Sequence, residues 1–240
     1  VTGGDSGIGR AVAIAFAKEG ADVVIPYLQE TEDADITKAA VESYGTKCTL
    51  IPIDLSEQQA AQQVVDQTLT TYGKIDVLVN NCAVQFVQKS MLNITKEQLD
   101  RTFKTNFYSY FFMIQAVLPH MKKGASIINT ASITAYKGSK DLIDYASTKG
   151  AIVALTRSLS GSLAEQGIRV NAVAPGPIWT PLIPASFDEK AVSKFGSTTP
   201  MKRAGQPFEL APGYVYLATD DSGFMTGQTL HINGGDIVNG

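Results

Sequence analysis

The sequence contains few of the residues that build metal centres, and too few cysteines for a disulfide framework. Its 240 residues include two cysteines, Cys48 and Cys82, and two histidines, His120 and His231. The cysteines lie in separate predicted elements without metal-type spacing, so we expect reduced thiols and a cytoplasmic protein. With so few histidines we predict no metal site and no histidine-based catalytic triad. His120 is expected at a helix end.

The sequence also lacks a strong charge of one sign and a long apolar run. Its formal net charge is −3, which provides no basic surface for nucleic acid. No apolar run approaches the roughly 18 residues of a membrane helix, and no secretory signal is visible, so no membrane partner is expected. With 44% hydrophobic and 18% charged residues the chain can bury a large core, which excludes disorder.

Strand-like and helix-like segments alternate along the chain. Short apolar runs typical of buried strands lie at 21–25, 48–53, 75–80, 125–130, 169–174 and 228–232. Helical patterns lie at 10–18, 31–44, 56–73, 106–121, 145–166 and 208–218. This alternation predicts an α/β fold: a doubly wound (Rossmann) parallel sheet flanked by helices, in a single domain over residues 1–240. The capping boxes Ser56-x-x-Gln59 and Thr95-x-x-Gln98 predict two helix starts.

A glycine-rich turn opens the chain and leads into the helical run at 10–18. Helix N-terminal amides favour a phosphate, and glycine lets the backbone approach it closely. We therefore expect a phosphate-binding turn, rather than a plain tight turn, formed by Gly3, Asp5, Ser6, Gly7, Ile8 and Gly9. The spacing is G-x-x-x-G-x-G, not the commoner G-x-G-x-x-G. Such a turn follows a strand, so we expect this strand to be truncated here and the natural polypeptide to begin further upstream.

Tyr145 and Lys149 are the first candidates for chemistry. Four residues apart, they would share one face of a helix. A cation beside a phenol favours the phenolate, so we expect a lowered pKa for Tyr145 and a proton donor and acceptor usable near neutral pH. Ser132 would hydrogen-bond the reacting oxygen. With nine tyrosines such a pair also arises by chance: the second one, Tyr136 and Lys140, lies where no helical period is present.

Two longer segments depart from the regular alternation. Residues 106–121 are apolar nearly all round, so we expect one face of this helix to lie on the sheet and the other on a second subunit. Residues 175–205 are rich in proline and follow the carboxyl end of a strand. We expect this part of the chain, at about residues 176–207, to form a lid over a substrate site.

The order and separations of several motifs resemble the short-chain dehydrogenases/reductases of the single-domain type, most of all their bacterial sugar and aldehyde reductases. The resemblance covers essentially the whole chain. Its motifs are Thr2-Gly3-x-x-x-Gly7-x-Gly9, Asp54-Leu55, Asn80-Asn81-Cys82-Ala83, Asn106, Ser132, Tyr145-x-x-x-Lys149 and Asn171 to Pro175-Gly176. It implies hydride transfer between a nicotinamide cofactor and a small carbonyl or alcohol substrate, and a homotetramer.

The resemblance also implies roles for individual residues. Tyr145 would be the general acid/base, Lys149 would lower its pKa and bind the nicotinamide ribose, and Ser132 would orient the carbonyl. Asn106 would support a water that relays protons to Lys149. The further cofactor contacts that it implies are Tyr27, Leu28, Asp54 at the adenine, Leu55, Asn81, Ala83, Thr130, and Pro175, Gly176, Ile178 and Thr180 at the nicotinamide carboxamide. Asp54 and Thr180 also have plainer interpretations, as a strand-end residue and a solvated loop hydroxyl.

Two features depart from the family pattern. Ala83 stands where the family usually has glycine, which adds one methyl beside the cofactor ribose. After the strand at 21–25, the segment Pro26-Tyr27-Leu28-Gln29 offers neither the acidic residue of NAD-preferring relatives nor the arginine of NADP-preferring ones. Glu30 and Glu32 would repel a 2′-phosphate, so between NAD and NADP the sequence favours NAD.

Two other functions are compatible with parts of the sequence. A dinucleotide-binding sensor or interaction protein would keep the fold without chemistry. A different nucleotide-fold enzyme, such as a methyltransferase, would explain the glycine turn. Neither explains the complete set of Asn106, Ser132, Tyr145 and Lys149.

Overall fold

Parallel strands form the centre of the molecule in the computed structural model, which describes residues 1–238. The strands are β1 (Val23–Tyr27), β2 (Cys48–Pro52), β3 (Val77–Asn80), β4 (Ser126–Thr130), β5 (Arg169–Pro175) and β6 (Thr229–Ile232). β1 pairs with β2, and β3, β4, β5 and β6 pair in that order, every pairing being parallel. The predicted parallel sheet is therefore confirmed; the last two residues of the predicted domain lie outside the described part.

The first residues of the chain lie between these two groups of strands. The Val1 ammonium donates to the carbonyl of Val24 (2.9 Å), and the Gly3 amide donates to that of Pro26 (2.9 Å). On the other side, the Thr2 amide donates to the carbonyl of Val79 (3.0 Å). Residues 1–3 thus link β1 to β3, and the glycine turn starts at the carboxyl edge of the sheet.

Helices cover both faces of the sheet. They are α1 (Gly7–Lys18), α2 (Thr31–Glu42), α3 (Gln58–Tyr72), α4 (Lys96–Phe103), α5 (Ser109–Val117), α6 (Thr134–Lys137), α7 (Ile143–Leu163), α8 (Leu182–Ser186), α9 (Glu189–Ser193) and α10 (Pro207–Ala218). Within residues 1–238 no helix combines the length and the apolar character needed to cross a membrane.

Two neighbouring residues of β4 show how the core is divided. Ile127 belongs to a cluster with Val65 of α3 and Met113 of α5. Ile128 belongs to another, with Val12 of α1 and Leu210 of α10. Successive strand residues point to opposite faces, so the sheet is buried on both sides, as a doubly wound fold requires.

The predicted capping box at Ser56 is wrong. Helix α3 begins at Gln58, and its N-cap, Glu57, makes no side-chain cap bond. Instead, Oδ1 of Asp54 accepts a hydrogen bond from the Ser56 amide (2.8 Å), which forms a turn before the helix. The Ser56 amide, which the predicted capping box would have paired with the Gln59 side chain, is therefore already bonded to Asp54.

The capping box at Thr95 is half confirmed. The Thr95 hydroxyl caps α4 by accepting a hydrogen bond from the Gln98 amide (3.2 Å). The Gln98 side chain does not return to the cap: its Nε2 donates to Oδ2 of Asp144 (2.9 Å). A tertiary partner therefore replaces the local one.

The helix predicted at 106–121 starts earlier and changes type along its length. α4 continues through a π-helical turn (Lys104–Tyr108) into α5, which ends in a 3-10 turn (Leu118–His120). His120 thus lies at a helix end, as expected. A π turn contains one residue more than an α turn and occurs often at functional sites; this one contains Asn106.

Other boundaries differ by about two residues. β1 begins at Val23 rather than at 21, after the left-handed Gly20 (φ +87°), and includes Pro26. α7 begins at Ile143, two residues before Tyr145, so Tyr145 lies in its first turn.

Arg169, at the start of β5, holds the carboxyl end of α10. Its guanidinium donates to the carbonyls of Leu217 (2.8 Å) and Thr219 (3.1 Å) and to the hydroxyl of Ser222 (2.6 Å). The last carbonyls of a helix have no partner within the helix, so Arg169 satisfies groups that would otherwise be unpaired. α10 in turn packs against α1, the helix that begins at the glycine turn.

We expect Arg169→Met to lower the free energy of unfolding by about 2 kcal/mol, because hydrogen bonds from a charged donor are lost. Urea denaturation followed by circular dichroism measures this. The exposed Arg157 of α7 is the control, and Arg157→Met should change the value by less than about 0.5 kcal/mol. An unchanged midpoint for Arg169→Met would show that apolar packing alone holds α10.

Candidate active site

A cleft of about 1520 Å³ lies along the carboxyl ends of the strands. It extends from the glycine turn, past the segments that follow β1 and β3, to Ser132 and Tyr145. Ligands of open α/β sheets bind at this edge. Residues of the segment predicted as a lid, among them Ile183 of α8, Phe187 and Phe195, form part of its wall.

The cleft brings together nearly all of the residues predicted from the sequence. Those that line it are Gly3, Asp5, Ser6, Gly7, Ile8, Tyr27, Leu28, Asp54, Leu55, Asn81, Ala83, Thr130, Ser132, Tyr145, Lys149, Pro175, Gly176, Ile178 and Thr180. Gly9 and Asn106 do not. No cluster of three or more metal-ligating side chains placed to hold an ion is present in residues 1–238.

The glycine turn has the geometry of an anion cradle. Gly3 and Gly7 have left-handed backbones (φ +62° and +52°), and α1 begins at Gly7, so the first residues of the helix, Gly7 and Ile8, line the cleft. Gly9 lies beneath the turn: a Cβ there would come within 2.1 Å of the Gly3 carbonyl oxygen. Asn81 holds the turn from the side by donating to the carbonyls of Thr2 (3.1 Å) and Gly3 (3.2 Å). Gly9 therefore permits the turn without lining the cleft itself, and its predicted contact with the cofactor stays a prediction.

Tyr145 and Lys149 share one face of α7, as their spacing predicted. Lys149 is 1% exposed, and its Nζ donates to the carbonyl of Thr130 at the end of β4 (2.7 Å). The same nitrogen lies 5.5 Å from the ring centre of Tyr145 and 5.4 Å from that of Tyr110. The amine is thus enclosed by a carbonyl and two aromatic faces, each attractive to a cation. Tyr136 and Lys140 share no helix, because α6 ends at Lys137.

The expected lowering of the Tyr145 pKa is wrong for this structure. Burial raises the pKa of Tyr145 to about 12, and a hydrogen bond with Ser132 opposes that rise. Burial also lowers the pKa of Lys149 to about 7, so near neutral pH the amine is only partly charged. Burial disfavours the charged form of both groups, and the amine is tied to Thr130 instead of the phenol oxygen. Tyr145 is therefore a protonated phenol at neutral pH.

Ser132 lies directly after β4 with its hydroxyl arranged as a donor. Its Oγ accepts hydrogen bonds from the amide (3.1 Å) and the hydroxyl (3.0 Å) of Thr134. A serine hydroxyl has two acceptor positions and one proton. Since Thr134 fills both acceptor positions, the Ser132 proton is left to donate towards the cleft.

Asn106 lies behind the wall of the cleft. It is fully buried, and its side-chain amide forms two bonds of 2.8 Å with the backbone N–H and C=O of Val84. A third bond, of 3.3 Å, joins it to the hydroxyl of Thr148 on α7. The residue therefore fastens the segment after β3 to the helix that carries Tyr145. Its predicted support of a water remains a prediction.

Asp144 is a buried carboxyl next to Tyr145 that the sequence analysis missed. Its Oδ2 accepts hydrogen bonds from Thr102 (2.8 Å) and Gln98 (2.9 Å) of α4, and its Oδ1 accepts one from the Tyr145 amide (3.0 Å). An acidic residue in the first turn of a helix is favourable at the positive end of the helix dipole. That position was a signal in the sequence. Asp144 fixes the start of α7 against α4.

The far end of the cleft carries more negative than positive charge. Glu30 and Asp33 line it, together with Tyr27 and Leu28. Arg10 pairs with Asp33 (2.6 Å) and donates to the carbonyl of Asp5 (2.6 Å). The guanidinium is thus already engaged by protein groups.

We expect the free energy of unfolding of Lys149→Met, minus that of the wild type, to fall as the pH rises from 7 to 9. Between a pKa of about 7 in the folded chain and 10.5 when unfolded, only the unfolded chain binds this proton. Wild-type stability therefore rises with pH there, by up to about 1.4 kcal/mol per pH unit, and the variant lacks that term. Urea denaturation at pH 7, 8 and 9 measures it. The exposed Lys122→Met is the control; a constant difference for Lys149→Met would contradict the effect of burial.

Known proteins resemble this chain over nearly its whole length. A family model described as enoyl-(acyl carrier protein) reductase matches residues 3–236. The oxidoreductase YhxC of Bacillus subtilis is 64% identical over 240 residues, covering 100% of this chain and 84% of the relative. An NADPH-dependent aldehyde reductase of Arabidopsis thaliana is 53% identical over 246 residues, covering 100% and 85%.

A solved structure agrees with this match. The short-chain dehydrogenase/reductase of Brucella melitensis, described as a glucose/ribitol dehydrogenase, is 34% identical and superposes with a TM-score of 0.91, covering 99% of this chain and 95% of the other. With the glycine turn, the parallel sheet and the group at Ser132, Tyr145 and Lys149, these matches establish that the chain belongs to the short-chain dehydrogenase/reductase family and is an NAD(P)-dependent oxidoreductase.

Proposed function

We propose that the protein interconverts a carbonyl and an alcohol, with Tyr145 as the general acid/base. One observation supports this most. The Tyr145 phenol, the Ser132 hydroxyl and the Lys149 amine line the same cleft as the glycine turn at the start of α1. A redox reaction at a carbonyl needs a proton donor and an oxygen-binding group beside a dinucleotide, and this arrangement offers both.

The residues would divide the work as follows. A bound nicotinamide supplies the hydride for reduction, or accepts it in the reverse direction. Ser132 donates a hydrogen bond to the carbonyl oxygen, as its filled acceptor positions favour. Tyr145, protonated because its pKa is about 12, gives its proton to that oxygen as the alcohol forms. Lys149, whose pKa is about 7, takes up a proton from solvent near neutral pH, and its positive charge stabilises the phenolate that is left.

The chain's own residues fit a dinucleotide along the cleft. The amides of the glycine turn would hold the pyrophosphate, Tyr27, Leu28, Asp54 and Leu55 the adenosine, and Lys149 the nicotinamide ribose, with Asn81, Ala83 and Thr130 beside it. Pro175, Gly176, Ile178 and Thr180 would hold the carboxamide, and the segment at 176–207 would cover the substrate. Asn106 would support the proton path to Lys149 from behind the wall.

The preference for NAD that the acidic residues suggested has no support among the relatives. The Arabidopsis relative is named as NADPH-dependent. Glu30 and Asp33 line the cleft, and Arg10, which pairs with Asp33, offsets part of their negative charge. The proposal therefore covers NAD and NADP alike.

We further propose aldehydes and sugars as substrates, and the cytoplasm as the compartment. Two of the related proteins are named as an aldehyde reductase and a glucose/ribitol dehydrogenase. An aldehyde that is also a sugar carries a carbonyl next to several hydroxyls, so such a substrate fits both descriptions. Both cysteines are free thiols, which is the usual state in a reducing compartment.

The proposed assembly is a homotetramer. Tyr108 and Phe111 project from the helix predicted to meet a second subunit, and each is 45% exposed. Leu99 on α4, the helix that continues into α5, is 40% exposed. Exposed apolar side chains along one helix favour an interaction site.

We expect Phe111→Glu to reduce the molar mass in solution from that of a tetramer to that of a dimer or monomer, because a charge would be buried in the contact. Size-exclusion chromatography with light scattering measures the mass. Ile36→Glu is the control, since Ile36 is 58% exposed on α2, away from this surface. A wild-type protein that elutes as a monomer would contradict the tetramer.

We expect Tyr145→Phe to lower kcat/KM for carbonyl reduction by at least about 100-fold, because the proton donor is lost. Cofactor affinity, measured by NADPH and NADH fluorescence titration, should change by less than about twofold. The assay follows nicotinamide absorbance with aldehydes, sugars and an enoyl thioester. Tyr136→Phe, from the other Tyr-x-x-x-Lys pair, should leave the rate unchanged. Turnover retained in Tyr145→Phe would contradict the proposed mechanism. A wild type that is inactive on every substrate would favour a nucleotide-binding protein without catalytic activity.

A further inference from the structure

Gln85 carries a buried amide without a partner on the wall of the cleft. The residue is 8% exposed, and within residues 1–238 its Nε2 meets no hydrogen-bond acceptor. Two other side chains in this part of the chain hold such an atom, Asn80 and Tyr136, and neither lines the cleft. Leaving a buried amide unpaired costs free energy, so this polar group at this place calls for a functional explanation.

The backbone around Gln85 is fixed on both sides. Both polar groups of the Val84 backbone are bonded to Asn106 at 2.8 Å, and the Gln88 amide donates to the carbonyl of Asp141 (2.9 Å). The next side chain, Phe86, lies against Arg101, whose guanidinium is 5.3 Å from the ring centre. The segment therefore has little freedom to shift Gln85 towards a protein partner.

The same bonds connect the segment of Gln85 to the helix that carries Tyr145. Asn106 bonds the hydroxyl of Thr148 (3.3 Å), and that hydroxyl donates to the carbonyl of Tyr145 (2.7 Å). Gln85 thus follows a residue that is joined to the first turn of α7 through two side chains. It lines the cleft together with Ser132 and Tyr145.

We propose that Gln85 is a substrate-positioning residue that hydrogen-bonds a hydroxyl near the reacting carbonyl. It thereby selects hydroxylated aldehydes and sugars over simple aldehydes of the same chain length. This inference rests on the proposed function. A side-chain amide offers both donors and an acceptor, and a hydroxyl offers one donor and two acceptor positions. A site built to pair a substrate hydroxyl rejects the analogue without it, because the protein group is then left unpaired.

The test compares two three-carbon aldehydes, D-glyceraldehyde and propanal, with Gln85→Leu and the nearly isosteric Gln85→Met. For glyceraldehyde kcat/KM should fall about tenfold, the size of one neutral hydrogen bond, mostly through a higher KM. For propanal it should stay within about twofold of the wild type. Both variants should melt at the wild-type temperature or above, because a buried unpaired amide is removed. Cofactor affinity should not change.

Gln88→Leu is the matched control, three residues along the same segment. The side-chain amide of Gln88 is already paired, because its Nε2 donates to Oε1 of Gln98 (2.7 Å). Loss of this hydrogen bond in Gln88→Leu should lower the melting temperature and leave the ratio of the two kcat/KM values unchanged. The control separates damage to the wall from loss of a substrate contact.

Three outcomes would overturn the role of Gln85 while leaving the proposed function intact. They are a wild type without preference for glyceraldehyde, an unchanged preference in Gln85→Leu, and equal losses for both aldehydes. A wild type that reduces neither aldehyde, nor any other carbonyl, with either cofactor would overturn the proposed function, and the role of Gln85 with it.

Discussion

The bond between the Lys149 amine and the Thr130 carbonyl is the contact on which the site depends. It joins the end of the central strand β4 to the second turn of α7, and so fixes where the Tyr145 phenol lies relative to Ser132. Tyr214 of α10 bonds the Thr130 hydroxyl (2.8 Å), and Tyr110 of α5 lies 3.5 Å from its carbonyl. Three helices therefore meet at one strand residue. Burying the amine weakens the fold, and this same burial brings its pKa near neutrality.

A network of buried and half-buried polar side chains supports this contact from the α4 side. Gln88, Gln98, Thr102 and Asp144 form a chain of hydrogen bonds that ends at the Tyr145 amide. Buried polar groups are favourable only when each has its partner, and a complete network then specifies one arrangement. The first turn of α7 is consequently held in place by side chains from two other segments, not by helix propensity.

The sequence predicts the elements well, but it does not predict the balance of forces inside the site. Alternating apolar runs imply the parallel sheet, and the four-residue spacing of Tyr145 and Lys149 implies a shared face. The direction of the Tyr145 pKa depends on burial, which only the assembled tertiary structure determines, so local spacing gave the wrong sign. Ser56 failed as a cap because Asp54 competes for its amide. The resemblance to a known family identified Asn106. Its position behind the wall follows from a π turn, which no local sequence pattern predicts.

That π turn has a consequence for how the protein tolerates change. A π turn makes about the same rotation around the helix axis as an α turn that is one residue shorter, so it absorbs an extra residue locally. Deleting one residue from Lys104–Tyr108 would therefore restore a regular helix without rotating α5. Tyr110 would keep its place at the Thr130 carbonyl and Phe111 its place on the outer surface, whereas Asn106 would be displaced. A single-codon deletion there would thus damage catalysis and leave the assembly surface in place.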